Sequence, residues 1–206
     1  MSDIGTNQAQ KAADVTVIEE IIKNRRTVKP QAYNGKIIDP ASIDQLIQAA
    51  NWAPTHGLTE PWRFIIFEGA GIQRFCQDHA ELYKANTEPD RFMQASYDKL
   101  KNQGNQASHI IAVFSKRGPK ANITELEEIC ATAAAVQNIL LTATAMGIAN
   151  FWSTGGQTLK PAMQKYFQLK EADQMIGLIY LGYTDEPAPT GRRITPLEEK
   201  VMWYRR

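Results

Sequence analysis

The chain has 206 residues, 43% of them hydrophobic and 22% charged, with a formal net charge of +1. This content suits one globular domain with a well-buried core and excludes a disordered chain; the balanced charge supplies no global basic field to recruit nucleic acid. No apolar run approaches the ~20 residues that span a bilayer, and the polar start lacks the apolar region of a signal peptide, so no membrane association and a cytoplasmic location are expected.

Residues 1–14 read as a polar, loosely ordered extension, and 15–206 as a single domain, since no interior linker or repeat is evident. Val17, Ile18, Ile21 and Ile22 recur at helical spacing, predicting a first helix that ends near Arg26. Its end carries Arg25-Arg26-Thr27, with Lys29-Pro30 close behind. Arginine presents a planar fork of donors to an oxyanion, lysine adds a point charge and threonine a hydroxyl, so the cluster suits a phosphate. It suits equally well a basic last turn that complements the helix dipole.

Asp39 before Pro40 is an N-cap with proline at the first helical position, and Ile43, Leu46, Ile47 and Ala50 give the second helix its apolar face, stopped by Pro54. Pro54-Thr55-His56 belong to a loop of small, polar and rigid residues ending at Pro61-Trp62. Such loops let backbone amides approach a ligand, or simply connect a helix to a strand. Trp62–Glu68 is aromatic and β-branched, hence a strand. A helix holding Phe75 and Leu82 follows. The polar stretch 85–107, with Phe92, Met93, Tyr97 and Leu100 at helical spacing, reads as a surface helix or lid.

His109–Ser115 reads as a buried strand, and Arg117–Asn122 as a turn. Glu125–Met146 is the longest predicted helix. It is acidic at its start and apolar almost all round from Ile129, so burial on most faces or a place at a subunit interface is expected. Ala149–Trp152 is a short strand running into Ser153-Thr154-Gly155-Gly156, where Trp152 offers a flat surface and the glycines expose backbone; the same residues would also make a turn with a core tryptophan. Lys160–Leu169 reads as a helix and Gln174–Tyr183 as a strand. The tail holds the basic pair Arg192-Arg193 and an aromatic end at Val201–Tyr204 that must pack on something else. Cys76 and Cys130 lack metal-binding spacing and read as buried, reduced thiols, and no metal is expected. No dinucleotide fingerprint, P-loop, zinc-protease or hydrolase-elbow motif is present.

Strands separated by helices favour an α/β or α+β sheet. The ordered set is a helix ending RRT, the APTHGLTEPW loop before a strand, a long apolar helix ending MGI, WSTGG, LGY and finally RRITPLEEKVMW. This set resembles the nitroreductase family of flavin-dependent oxidoreductases, and within it the compact YdjA-type branch. The likeness runs from about Ile18 to Trp203. It implies an α+β fold with a central, mostly antiparallel mixed sheet flanked by helices, and a swapped-tail homodimer with FMN in two shared pockets. It further implies that Arg25, Arg26 and Thr27 bind the FMN phosphate and ribityl chain, with Lys29 near the pyrimidine edge of the flavin. Pro54, Thr55 and His56 would arrive from the neighbouring subunit, Trp152, Ser153, Thr154 and Gly155 would lie against the ring, and Arg193 or Arg192 would complete the phosphate site. The sequence departs from the family at Glu60, where Gln or Asn is usual, and at Trp52, where a basic residue is frequent in that branch. The implied activity is ping-pong hydride transfer from NADH or NADPH through flavin N5 to nitroaromatics, quinones or similar small electron-poor acceptors. No catalytic side chain is required. A flavin-binding sensor or scavenger with little turnover would carry the same residues.

Overall fold

The computed structural model describes the backbone of residues 3–205 and the side chains of 11–205. Its strands are β1 (Trp62–Glu68), β2 (His109–Ser115), β3 (Ala149–Ser153) and β4 (Gln174–Gly182). They form one sheet in the order β1-β2-β4-β3, antiparallel throughout. The mixed character expected of it is confined to an isolated parallel bridge between Thr27 and Asn150.

Both faces of the sheet are covered, which explains why β2 and β4 read as nearly continuous apolar runs. Alternate residues serve alternate faces. Ile111, Val113, Ile179 and Leu181 pack against α2 (Pro40–Asn51) and α5 (Glu125–Ala145). Ile110, Ala112, Leu178 and Tyr180 pack against α3 (Ala70–Ala85) and α6 (Pro161–Tyr166). The result is an α+β three-layer arrangement with the sheet at its centre.

Local chemistry sets the element ends. Asp39 caps α2 by accepting from the Ala41 N–H at 2.9 Å. Thr124 and Glu127 form a reciprocal capping box at the start of α5, with the Thr124 N–H donating to Glu127 Oε2 at 2.7 Å and the Glu127 N–H to Thr124 Oγ1 at 3.3 Å. The Thr124 N–H, helped by His56 and by the Thr124 hydroxyl, pulls the Glu127 carboxyl down to about 2.

Three expectations need adjustment. The first helix, α1, runs Asp3–Asn24 and stops before the arginines, because Thr27 and Val28 turn aside to pair with β3; the Val28 N–H donates to Asn150 O at 3.0 Å. α1 therefore reaches back through the segment expected as an extension, of which Met1 and Ser2 lie outside the described residues. The helix expected over 160–169 is shorter, Pro161–Tyr166. Cys76 is buried, but Cys130 is exposed. α5 presents only one face to the sheet (Ala135, Val136, Ile139, Ala143), and Leu126 and Cys130 sit on the other side of the helix. Among the described residues no helix is long and apolar enough to cross a membrane.

Candidate active site

A cavity of about 630 Å³ opens beside the edge strand β3. One wall is the end of β3 and the turn that follows it: Trp152, Ser153, Thr154, Gly155 and Gly156 all line it, as does Lys29 from the segment after α1. Lys29 arrives there because the Thr27–Asn150 bridge lays its segment along β3. The opposite wall is α4 (Gln94–Asn102), which contributes Ser96, Lys99 and Leu100, with Gln103 just beyond its end. These four stand at i, i+3, i+4 and i+7, one helical face.

The turn is held from below. Gly156 has φ +64°, and a Cβ there would come within 2.7 Å of His79 Nε2 and 2.8 Å of Leu100 Cδ2, so only glycine fits. His79, on α3, is 2% exposed and its Nε2 accepts from the Gln157 N–H at 3.0 Å. Burial pushes its pKa from 6.5 down to about 4, keeping the ring neutral with the proton on Nδ1. Trp152 is 36% exposed and donates from its indole nitrogen to Ile176 O at 3.1 Å, its ring lying over Gly177. That contact fixes the ring while leaving part of its face to the cavity.

The cavity is lined by Lys29, Lys99 and Lys160 and by no carboxylate. Among the described residues none of the three lysines has an acidic partner within ion-pair distance. A flat, electron-rich or anionic group suits such a lining.

Of the residues singled out in the sequence, Lys29, Trp152, Ser153, Thr154 and Gly155 meet in this cavity, while Arg25, Arg26, Thr27, Pro54, Thr55, His56 and Arg193 do not line it. The basic residues nevertheless converge. Arg26 donates from Nε to Pro189 O at 3.0 Å across 163 residues of sequence, and Gly191 lies flat against its guanidinium. The tail thus docks at the end of α1, with Pro189 and Gly191 against Arg26 and the basic pair Arg192-Arg193 following directly in the chain. Arg26 also donates to the carbonyls of Lys23 and Arg25, so its fork is spent on backbone. Arg193 is exposed and donates to Arg192 O at 3.0 Å.

The Pro54–His56 loop lies elsewhere, at the start of α5. His56 Nδ1 is 2.8 Å from Glu127 Oε1, and Thr55 Oγ1 is 3.0 Å from Thr59 Oγ1. Leu58 and Glu60 sit at φ +55° and +42°, a left-handed backbone that leucine rarely adopts. Leu58 is 82% exposed and Trp52, at the end of α2, is 87% exposed. Sequence reasoning missed His79, Lys99, Gln103, Gln157 and Lys160. The α4 residues were readable as a polar stripe at helical spacing within the segment read as a surface helix or lid. His79 left no signal, being one histidine in an amphipathic helix.

The profile of the Nitroreductase family matches residues 22–183. A nitroreductase-like family protein from Bacillus cereus has the same fold with a TM-score of 0.78 and 28% identity, over 91% of this chain and 95% of that one. YdjA of Escherichia coli K12, provisionally named an NAD(P)H nitroreductase, is 27% identical over 90% of this chain and 98% of YdjA. The FMN-dependent nitroreductase NfnB of Mycobacterium smegmatis, solved with NADPH, shares the fold with a TM-score of 0.71 at 17% identity, over 93% of this chain and 99% of NfnB.

Proposed function

The chain belongs to the nitroreductase family, and from that premise we propose that it is an FMN-dependent NAD(P)H oxidoreductase acting as a homodimer. The observation that carries this reading is the cavity: a basic wall at Lys29, a partly exposed indole at Trp152 and a glycine turn share one space of about 630 Å³ with no carboxylate. Those are the features a flat anionic ring system needs. The similarity to YdjA, provisionally named an NAD(P)H nitroreductase, supports the same activity.

Bound FMN would supply two-electron chemistry, with hydride taken from NADH or NADPH at N5 and passed to a nitroaromatic, quinone or similar acceptor in a ping-pong cycle. The protein's part is binding, orientation and electrostatics. Lys29 would hold negative charge on the ring edge, favouring the reduced form. Ser153, Thr154 and the Gly155 backbone would orient the ring against Trp152. Arg25 and Thr27 would grip the phosphate, joined by Arg193 or Arg192 from the docked tail. Arg26 would act through its grip on Pro189, holding that tail in place. The Pro54–His56 loop does not line the cavity of about 630 Å³ in its own protomer. Its exposed, strained backbone is accounted for if it completes the pocket of a partner subunit.

The test is the visible spectrum of the purified protein, followed by anaerobic mixing with NADH and with NADPH. A yellow protein that bleaches and is reoxidised by a quinone is expected. A colourless protein would sink the reading, and a yellow one that neither nicotinamide bleaches would leave a flavin-binding protein without turnover. Arg25→Ala should give folded protein that has lost most of its FMN.

A further inference from the structure

We propose that Lys99 and Lys160, with the side-chain amides of Gln103 and Gln157, form an anion subsite that holds the negatively charged substituent of a reactant in the cavity. The proposal rests on the cavity being the place where a flat reactant meets the cofactor.

The four residues come from two separate elements, α4 and the segment between β3 and α6, and face one space. Gln103 and Gln157 both line the cavity, and the hydrogen bonds they donate to the protein come from their backbone N–H groups, not from their side-chain amides. Amides that open onto the cavity keep donors available to a ligand's acceptors there. Lys99 and Lys160 supply charge without a compensating carboxylate. Lysine is a point charge with rotatable donors, so the subsite selects for charge more than for the shape of the oxyanion. Both walls are stiffened beforehand. Tyr97 ties α4 to α3 through Glu81 at 2.6 Å and Gln77 at 2.9 Å, and the Gln157 backbone is fixed by His79. Preorganised donors need no rearrangement when the anion arrives.

The charged group has two possible carriers, a sulfonate, carboxylate or phosphate on the acceptor, or the 2′-phosphate of NADPH. Titration calorimetry on the protein as purified, with benzenesulfonate against benzenesulfonamide, reads the subsite without turnover. The wild type should prefer the sulfonate by about tenfold, with the preference shrinking as salt rises. The double variant Lys99→Gln, Lys160→Gln should erase it while leaving sulfonamide binding unchanged. Steady-state rates then assign the source. Collapse of the ratio between 4-nitrobenzenesulfonate and 4-nitrobenzenesulfonamide points to the acceptor, and collapse of the ratio between NADPH and NADH points to the donor. A sulfonate preference absent from the wild type, or unchanged in the double variant, overturns the proposal. So does loss of flavin from that variant, which would place the anion on the cofactor. Normal flavin reduction without charge selectivity would sink the subsite alone. Charge selectivity in a colourless, inert protein would sink the oxidoreductase reading alone.

Discussion

Replacing His79 with glutamine tests whether a buried neutral histidine keeps the cavity wall in place. In the folded protein His79 titrates near about 4, against 6.5 for a free histidine, because burial disfavours the charged ring and Nε2 is committed to accepting from Gln157. A proton therefore binds the unfolded chain more tightly than the folded one. The contribution of His79 is fully present above pH 6.5 and is lost as pH falls through the window down to about 4. Inside that window each pH unit costs about 1.4 kcal/mol, so the fall from 6.5 to 5 removes roughly 2 kcal/mol.

Urea unfolding at pH 7.5 and pH 5 measures this. His79→Gln should be the less stable protein at pH 7.5, because the Gln157 N–H loses a well-placed acceptor at a cost of about 1–3 kcal/mol. The gap between wild type and variant should then narrow by about 2 kcal/mol at pH 5. His109, whose pKa burial also lowers, is present in both proteins and cancels. A gap that stays constant from pH 7.5 to pH 5 would refute the reasoning.

Gly156→Ala should destabilise the fold by about 1–3 kcal/mol, since the new Cβ meets His79 and Leu100 on a left-handed backbone, and it should weaken FMN retention; paired denaturation and flavin-content measurements check both. Arg117→Met leaves Glu128, 2% exposed, without the guanidinium that donates to it at 2.6 Å, and should cost about 3–5 kcal/mol in denaturant unfolding. Neither residue of that pair lines the cavity, so the flavin spectrum of the folded fraction should not change. Deleting Pro187–Arg206 should abolish dimer and flavin binding together in sedimentation and absorbance measurements. A monomer that still held FMN tightly would contradict the shared pocket.

Much of the fold was legible because its signals are local. The periodicity of α2, the Asp39-Pro40 start and the two-faced apolar runs of β2 and β4 each follow from a few neighbouring residues. The end of α1 was misjudged for a non-local reason: the backbone of Thr27 and Val28 pairs with Asn150, which lies more than a hundred positions away and leaves no trace in local sequence. Cys130 was misjudged because composition cannot say which face of an apolar helix meets the sheet. The cavity was half legible. Trp152 to Gly155 announced itself through aromatic and glycine content, whereas Lys99 and Gln103 gain meaning only once α4 is folded across from that turn.

The division of the candidate residues also argues for what lies outside the protomer. An isolated subunit leaves Trp52, Leu58, Ile194, Met202, Trp203 and Tyr204 between 73% and 91% exposed. Large apolar side chains in such numbers are rare on a monomer's surface and mark an interaction face. They lie on two segments: the helix-to-strand loop around Pro54–His56, and the tail that docks beside Arg25 through Arg26. These are also the segments whose site residues do not line the β3-edge cavity of their own subunit. One event, association of two copies, would account for both facts, burying the apolar side chains and carrying the loop to a pocket it cannot reach alone. On this reading flavin and dimer stabilise each other, because a cofactor that binds only the assembled pocket adds its binding free energy to association. Thermal midpoints should then rise with protein concentration, and added FMN should flatten that dependence. A midpoint independent of concentration in the flavin-free protein would break the link between exposed apolar surface and incomplete site.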